Sequence, residues 1–210
     1  MAYKKTIYLT RHGETEYNKQ GIIQGSGVDS DLNETGLRQA ELFYEHYGHI
    51  SFDKIYTSAL KRTYQSVRHF IEKKNIPHEK MAGLNEIMWG KYEGKPTNPN
   101  WRAEYFEMIA QWENGNLEHR VPGGENPIEL QQRQKPALEH ILNQTPEQQI
   151  LICMHGRAMR SFLCLMMDKH LSQMDSFGHR NLGLYIIEYN AGQFSIIKEN
   201  SDEHLQSLAI

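Results

Sequence analysis

Thr10-Arg11-His12-Gly13-Glu14-Thr15 is the exit of a short β-rich run, Lys5-Thr6-Ile7-Tyr8-Leu9-Thr10, straight into an arginine, a histidine and a glycine. A strand that ends this way delivers polar side chains to the carboxyl edge of a sheet, where open parallel sheets bind their ligands. Two further runs do the same. Phe52 to Thr57 leads into Ser58, read as a helix N-cap, and a helix bearing Arg62 in its first turns. Gln149 to Met154 is continuously apolar, as a strand buried on both faces should be, and ends in His155-Gly156 at the start of a helix carrying Ala158, Phe162 and Leu165. Between the runs lie helical faces: Leu37, Ala40, Tyr44 and Tyr47 before Gly48, then Leu60, Tyr64, Val67 and Ile71. This alternation predicts right-handed βαβ units in a three-layer α/β/α domain with a mainly parallel sheet. Leu184 to Tyr189 and Phe194 to Lys198 flank Asn190-Ala191-Gly192-Gln193, a hairpin that adds an antiparallel edge.

The chain of 210 residues is read as one domain, 1–210, with a mostly helical insertion over 94–127. In that insertion Trp101, Tyr105, Met108 and Trp112 share one helical face, a stripe more suited to packing than to a pocket wall. Pro136 interrupts the next helical pattern, from Pro127 to Leu142, and predicts a kink or break. Only the polar C-terminus after Lys198 reads as a disordered tail. With 39% hydrophobic and 23% charged residues and a net charge of -3, nothing draws the whole chain to nucleic acid or an anionic membrane. No apolar run reaches membrane-span length, and Thr6 to Thr10 is too short for a signal-peptide core, so the expected location is cytoplasmic. The two cysteines, Cys153 and Cys164, read as buried thiols in a reducing compartment. Oligomeric state is left open.

Two arginines, two histidines and a helix N-terminus at one sheet edge suit a phosphate better than a neutral ligand. A neutral His12 could attack phosphorus in line, with Arg11, Arg62 and His155 stabilising the transferring oxygens. Clustered positive charge favours the neutral imidazole. Glu86, which follows a weaker strand pattern and precedes the loop Lys91-Tyr92-Glu93-Gly94, is the candidate acid for the leaving oxygen and base for water. Gly156 would let the backbone approach the ligand closely, and Tyr92 either borders the leaving group or packs. His69, His78, His119, His140 and His179 show no metal-ligand spacing.

Arg11-His12-Gly13-Glu14-Thr15 resembles the defining motif of the histidine phosphatase, or phosphoglycerate mutase-like, superfamily. Ser58 to Arg62, Glu86 with Gly90, Glu93 and Gly94, Pro122-Gly123-Gly124-Glu125 with Arg133, and His155-Gly156 follow in the same order, from about Thr6 to Tyr189. The resemblance implies a phosphohistidine on His12, a pocket of Arg11, Arg62 and His155, Glu86 as proton donor and acceptor, and neither metal nor other cofactor. Asn18, Gln24 and Gly25 resemble the phosphate-contacting continuation, whereas Glu125 and Arg133 read as a structural ion pair. The expected activity is hydrolysis of a small phosphorylated metabolite. A phosphoglycerate mutase or a non-catalytic phospho-ligand binder are the alternatives; Gln24-Gly25-Ser26-Gly27-Val28-Asp29 lacks the tryptophan-containing segment of the mutase branch.

Overall fold

In the computed structural model, which describes residues 4–209, the apolar runs become the middle of a six-stranded sheet. The elements run β1 (Lys4–Arg11), α1 (Glu16–Gln20), α2 (Glu34–Tyr47), β2 (Lys54–Thr57), α3 (Lys61–Lys74), β3 (His78–Lys80), α4 (Pro99–Glu113), α5 (Pro127–Asn143), β4 (Gln149–Met154), α6 (Gly156–Met166), β5 (Leu184–Asn190) and β6 (Gln193–Ser201). Strand order is β3-β2-β4-β1-β5-β6. The first four strands are parallel, and the β5-β6 hairpin extends the sheet antiparallel from β1. Its turn residues Ala191 and Gly192 both have positive φ, 50° and 86°, as a tight hairpin turn twisted to match its strands requires.

Period-2 alternation in β1 splits the core. Ile7 and Leu9 face a cluster shared with α4, α5 and α6, including Leu130, Phe162 and Leu163, while Tyr8 faces Phe43, Val67 and Phe70 from α2 and α3. Each such side chain, once buried, contributes roughly 1.5–3 kcal/mol, so three layers are the arrangement that covers both faces. Register then fixes the functional edge. Arg11 is opposite Met154 and Thr57 opposite Cys153, so β1, β2 and β4 end side by side and carry His12, Ser58 and His155 to one line.

Three expectations are corrected. Leu60, not Ser58, is the N-cap of α3, because Asp29 Oδ1 from a separate loop accepts the Lys61 N–H at 2.7 Å. α5 runs unbroken through Pro136, whose ring lies on the exposed face, where a carbonyl deprived of its helical partner can be hydrated. The described residues beyond Lys198 are ordered: β6 continues to Ser201, and His204 is buried among Phe43, Tyr47 and His46. β3 is only three residues long and lies at the sheet edge. The aromatic stripe is core, with Trp101, Met108 and Trp112 buried around Trp89. Cys153 and Cys164 are free and buried.

Candidate active site

His12 extends β1 by one bond, its N–H donating to Met154 O at 3.0 Å, and the chain then turns at Gly13. A Cβ on Gly13 would lie 2.9 Å from Gly36 O, so only glycine lets the turn sit against α2. Ser66 Oγ accepts the Gly13 N–H at 2.8 Å and donates to Arg62 O, joining the turn to α3. The His12 ring is almost fully buried, with Nδ1 2.7 Å from Gly13 O. A carbonyl can only accept, so Nδ1 carries the proton and Nε2 presents its lone pair. Burial, then the Arg62 and Arg11 charges, hold the imidazole well below the ordinary histidine range, so it is neutral at neutral pH.

A second buried imidazole stands 5.2 Å from the first, between ring centroids: His155. Arg62 Nε donates to His155 Nδ1 at 3.2 Å, so His155 Nε2 carries the proton and donates to Ser58 Oγ at 2.8 Å. Ser58 then gives its hydroxyl proton to Thr63 at 3.0 Å, and Thr63 donates to Leu60 O at 2.8 Å. This chain fixes both tautomer and ring plane. Arg62 is wholly buried, and desolvation lowers its pKa to about 10. Its fork is anchored by Val28 O at 2.6 Å and Gly25 O at 3.4 Å. Arg11 bonds His179 Nδ1 at 3.3 Å, and its buried Nε has no partner among the described residues. An orphaned guanidinium donor beside two imidazoles fits an oxyanion.

Glu86 faces the same edge from the loop after β3, with only 8% of its surface exposed. Its Oε1 accepts the N–H groups of Ala158 at 2.8 Å and Ile87 at 2.9 Å, and its Oε2 accepts that of Arg157 at 3.1 Å. The carboxylate thus caps the N-terminus of α6, where the helix dipole favours negative charge. Arg133 and Glu125 hold that loop. Arg133 pairs with Glu125 through two bonds, at 2.7 and 3.0 Å, and donates to Gly83 O, Asn85 O and Glu86 O, while Glu125 Oε2 accepts the Met88 N–H. Glu93 pins the neighbouring segment, accepting from Trp89 N at 2.8 Å and Gly27 N at 2.9 Å.

The predicted edge therefore assembles Arg11, His12, Arg62, Glu86 and His155. Gly156 opens α6, packed so closely under His179 that a Cβ would lie 2.7 Å from the ring. Gly25 supplies a carbonyl to Arg62, and a Cβ there would collide with Glu93. The amides of the other two polar candidates are partly spent locally: Gln24 donates to Thr15 and accepts from Ser30, and Asn18 Oδ1 accepts from Thr15 within a helix capping box. Tyr92 packs on Trp101, with ring centroids 4.4 Å apart. Three residues at this edge received no site role in the sequence reading: His179, weighed there only as a metal ligand, Asn181, which bonds His12 O, and Arg157, whose N–H meets Glu86 and whose buried side chain bonds Asp175 at 2.7 Å and Tyr105 Oη at 2.5 Å. Of these, only Asn181 sits beside a sequence signal, the turn-forming Asn-Leu-Gly before β5.

Residues 7–202 match the family model of the histidine phosphatase superfamily, branch 1. The chain belongs to that superfamily. Phosphoserine phosphatase 1 of Hydrogenobacter thermophilus is 31% identical over 199 residues, covering 95% of this chain and 93% of that protein. The rat (Rattus norvegicus) 6-phosphofructo-2-kinase/fructose-2,6-bisphosphatase 3 is 33% identical over 172 residues, which is 81% of this chain but 29% of the larger enzyme. Among solved structures, Bacillus stearothermophilus YhfR superposes with a TM-score of 0.85 at 27% identity, over 96% of this chain and 100% of that one. As a histidine phosphatase, the chain is a phosphomonoester hydrolase of small phosphorylated metabolites. Among the described residues no helix is long and apolar enough to cross a membrane.

Proposed function

We propose that His12 is the nucleophile of a two-step hydrolysis, with Arg11, Arg62 and His155 as the phosphate pocket and Glu86 as acid and base. The observation that carries the assignment is the His12 ring itself: Nδ1 is committed to Gly13 O, leaving Nε2 with its lone pair beside the Arg62–His155 pair. In the first step the Nε2–P bond forms as the ester P–O bond breaks, and a proton from Glu86 goes to the leaving oxygen, releasing the alcohol. In the second step Glu86 takes a proton from water, whose oxygen attacks phosphorus as the N–P bond breaks, returning neutral His12 and inorganic phosphate. The two guanidinium groups balance the charge on the transferring oxygens throughout, the part taken by metal ions in many phosphoryl-transfer sites. Oε1 of Glu86 already accepts two backbone N–H groups and Oε2 only one, so Oε2 is the oxygen with capacity for the transferred proton.

The leaving group is selected by the segment over 94–127, which we read as an insertion at the mouth of the site. Lys91 is paired with Glu104 and Arg120 with Glu129, whereas among the described residues neither Lys95 nor Arg102 forms an ion pair. Lys95 O accepts the Ile23 N–H at 3.0 Å, one residue from Gln24, so an alcohol bearing a second charged group is the favoured substrate. Phosphoserine, the substrate in the name of the 31% identical relative, is the first ester to assay. Rapid quench into alkaline denaturant, which preserves the acid-labile N–P bond, with the ester labelled in its phosphate, tests the mechanism. Label should accumulate on wild-type protein and more so on Glu86→Gln, whose hydrolysis step is slowed, and be absent from His12→Ala. Label on His12→Ala equal to wild type would refute the nucleophile. Bisphosphate-dependent isomerisation of 3-phosphoglycerate with little phosphate released would make it a mutase.

A further inference from the structure

The turn His179-Arg180-Asn181 meets the end of β1 residue by residue. Thr10 Oγ1 donates to Gly183 O at 3.1 Å, Leu182 N donates to Arg11 O at 3.0 Å, and Asn181 Nδ2 donates to His12 O at 3.0 Å and reaches Asn18 Oδ1 at 3.4 Å. On the near side of the same turn, His179 Nδ1 is 3.3 Å from Arg11 Nη1. A guanidinium can only donate, so His179 Nδ1 accepts and the ring is neutral; burial and the Arg11 charge lower its pKa to about 3, in keeping with that role. The turn carries a strained residue that its anchors hold in place. Leu182 is fully buried with φ +52°, a left-handed backbone that a bulky residue rarely adopts. Its side chain is locked into the cluster of Tyr8, Phe43 and Leu184, and Arg180 pairs with Asp202 beyond β6.

We infer that His179 and Asn181 are positioning residues of the hydrolase, Asn181 fixing the nucleophilic His12 with its neighbour Asn18 and His179 aiming the Arg11 fork. The inference rests on His12 being the nucleophile. The geometry separates the two roles. Asn181 touches the nucleophile's own carbonyl and the carboxamide oxygen of Asn18, so its loss allows His12 to drift from the line of attack and lowers kcat. His179 hydrogen-bonds the phosphate-binding arginine and packs over Gly156, with no bond to His12, so its loss weakens ground-state binding and raises KM. A left-handed leucine between Asn181 and Gly183 is the backbone device that turns both side chains toward β1.

The test compares wild type with Asn181→Ala, Asn181→Asp, His179→Ala and His179→Asn, measuring single-turnover phosphohistidine formation, KM and thermal midpoint on the full-length protein. Asn181→Ala should form phosphohistidine roughly 10- to 100-fold more slowly, the scale of a misplaced reacting group, with KM little changed. Asn181→Asp sets an ionised carboxylate against two acceptors. Its rate relative to wild type should climb as pH falls toward the ordinary carboxylate pKa of about 4, where a protonated acid donates again; Asn181→Ala should show no such rise. His179→Ala should raise KM, and His179→Asn, whose carboxamide oxygen stands in for Nδ1, should restore it. Wild-type labelling rates in Asn181→Ala, or losses that follow only the unfolded fraction with no pH response in Asn181→Asp, would overturn the inference. Label missing from His12 in the wild type would instead refute the nucleophile assignment and this inference with it.

Discussion

Replacing Arg133 with methionine should damage both the stability and the chemistry of this enzyme, although Arg133 lies outside the phosphate pocket. Methionine keeps the apolar stem and deletes the fork that bonds Glu125 twice and reaches Gly83 O and Asn85 O at 3.0 Å and Glu86 O at 2.8 Å. Removing one partner of a fully buried pair costs about 3–5 kcal/mol, and of an exposed one about 0–1 kcal/mol. With Arg133 25% and Glu125 19% exposed, the pair falls between these limits, and the freed carbonyls can regain water. The expected loss is roughly 2–4 kcal/mol, which at about 2–4 °C per kcal/mol lowers the thermal midpoint by about 4–16 °C. Because the fork holds the backbone of Glu86, kcat should fall roughly 10- to 100-fold, while inhibition by inorganic phosphate, which reads Arg11 and Arg62, stays nearly constant. Arg133→Lys should recover only part, since an ammonium cannot span the carboxylate and three carbonyls. Calorimetry with steady-state kinetics decides it: a midpoint within about 1 °C of wild type and an unchanged kcat would refute the reasoning.

Burial depresses the pKa of His12 and His155 well below the ordinary range, that of His179 to about 3 and that of His204 to about 4. Their folded values lie below the unfolded value of about 6.5, so this stability is fully present above that pH and is lost as pH falls toward the folded values. The thermal midpoint should therefore drop steadily from pH 7 to about 4.5, less so in His204→Phe; a flat profile would contradict it. Gly25→Ala would thrust a methyl to 1.8 Å from Glu93 Oε1 and 2.7 Å from Ile87 O, so the loop that anchors Arg62 must shift and kcat/KM should fall sharply; unaltered kinetics would show the contact to be dispensable. Prolonged chelation should leave the rate unchanged, because Arg11 and Arg62 supply the positive charge. A large loss restored by a divalent cation would place the reaction in another mechanistic class.

The parallel strands were legible because β4 is apolar and buried from Ile150 onward and β1 ends in a chemically distinctive Arg-His-Gly, so both position and polarity showed in a short window. β3 was barely legible: His78-Glu79-Lys80 has no apolar pattern, since an edge strand of three residues buries little. Pro136 misled because a helix tolerates proline where the freed carbonyl faces water, a property of the solvent side and not of the local string. Ser58 misled in the opposite sense, as its hydroxyl is taken up by His155 and Thr63, and the end of α3 is capped across the chain by Asp29. Ordered motifs carried Arg11, His12, Arg62, Glu86 and His155. They could not carry His179 and Asn181, whose meaning comes from register with β1 more than 160 positions away.

The bond from His12 Nδ1 to Gly13 O closes between two adjacent residues. The choice of which ring nitrogen attacks is thus encoded by two consecutive residues and travels with them. Distant substitutions can tilt the ring, bury it differently or shift when it titrates, but they have no direct purchase on its tautomer. Nitrogen chemical shifts of His12 should accordingly report the same Nδ1–H form in variants whose turnover has collapsed, and a defect in aim would be separable, by spectroscopy alone, from a defect in protonation.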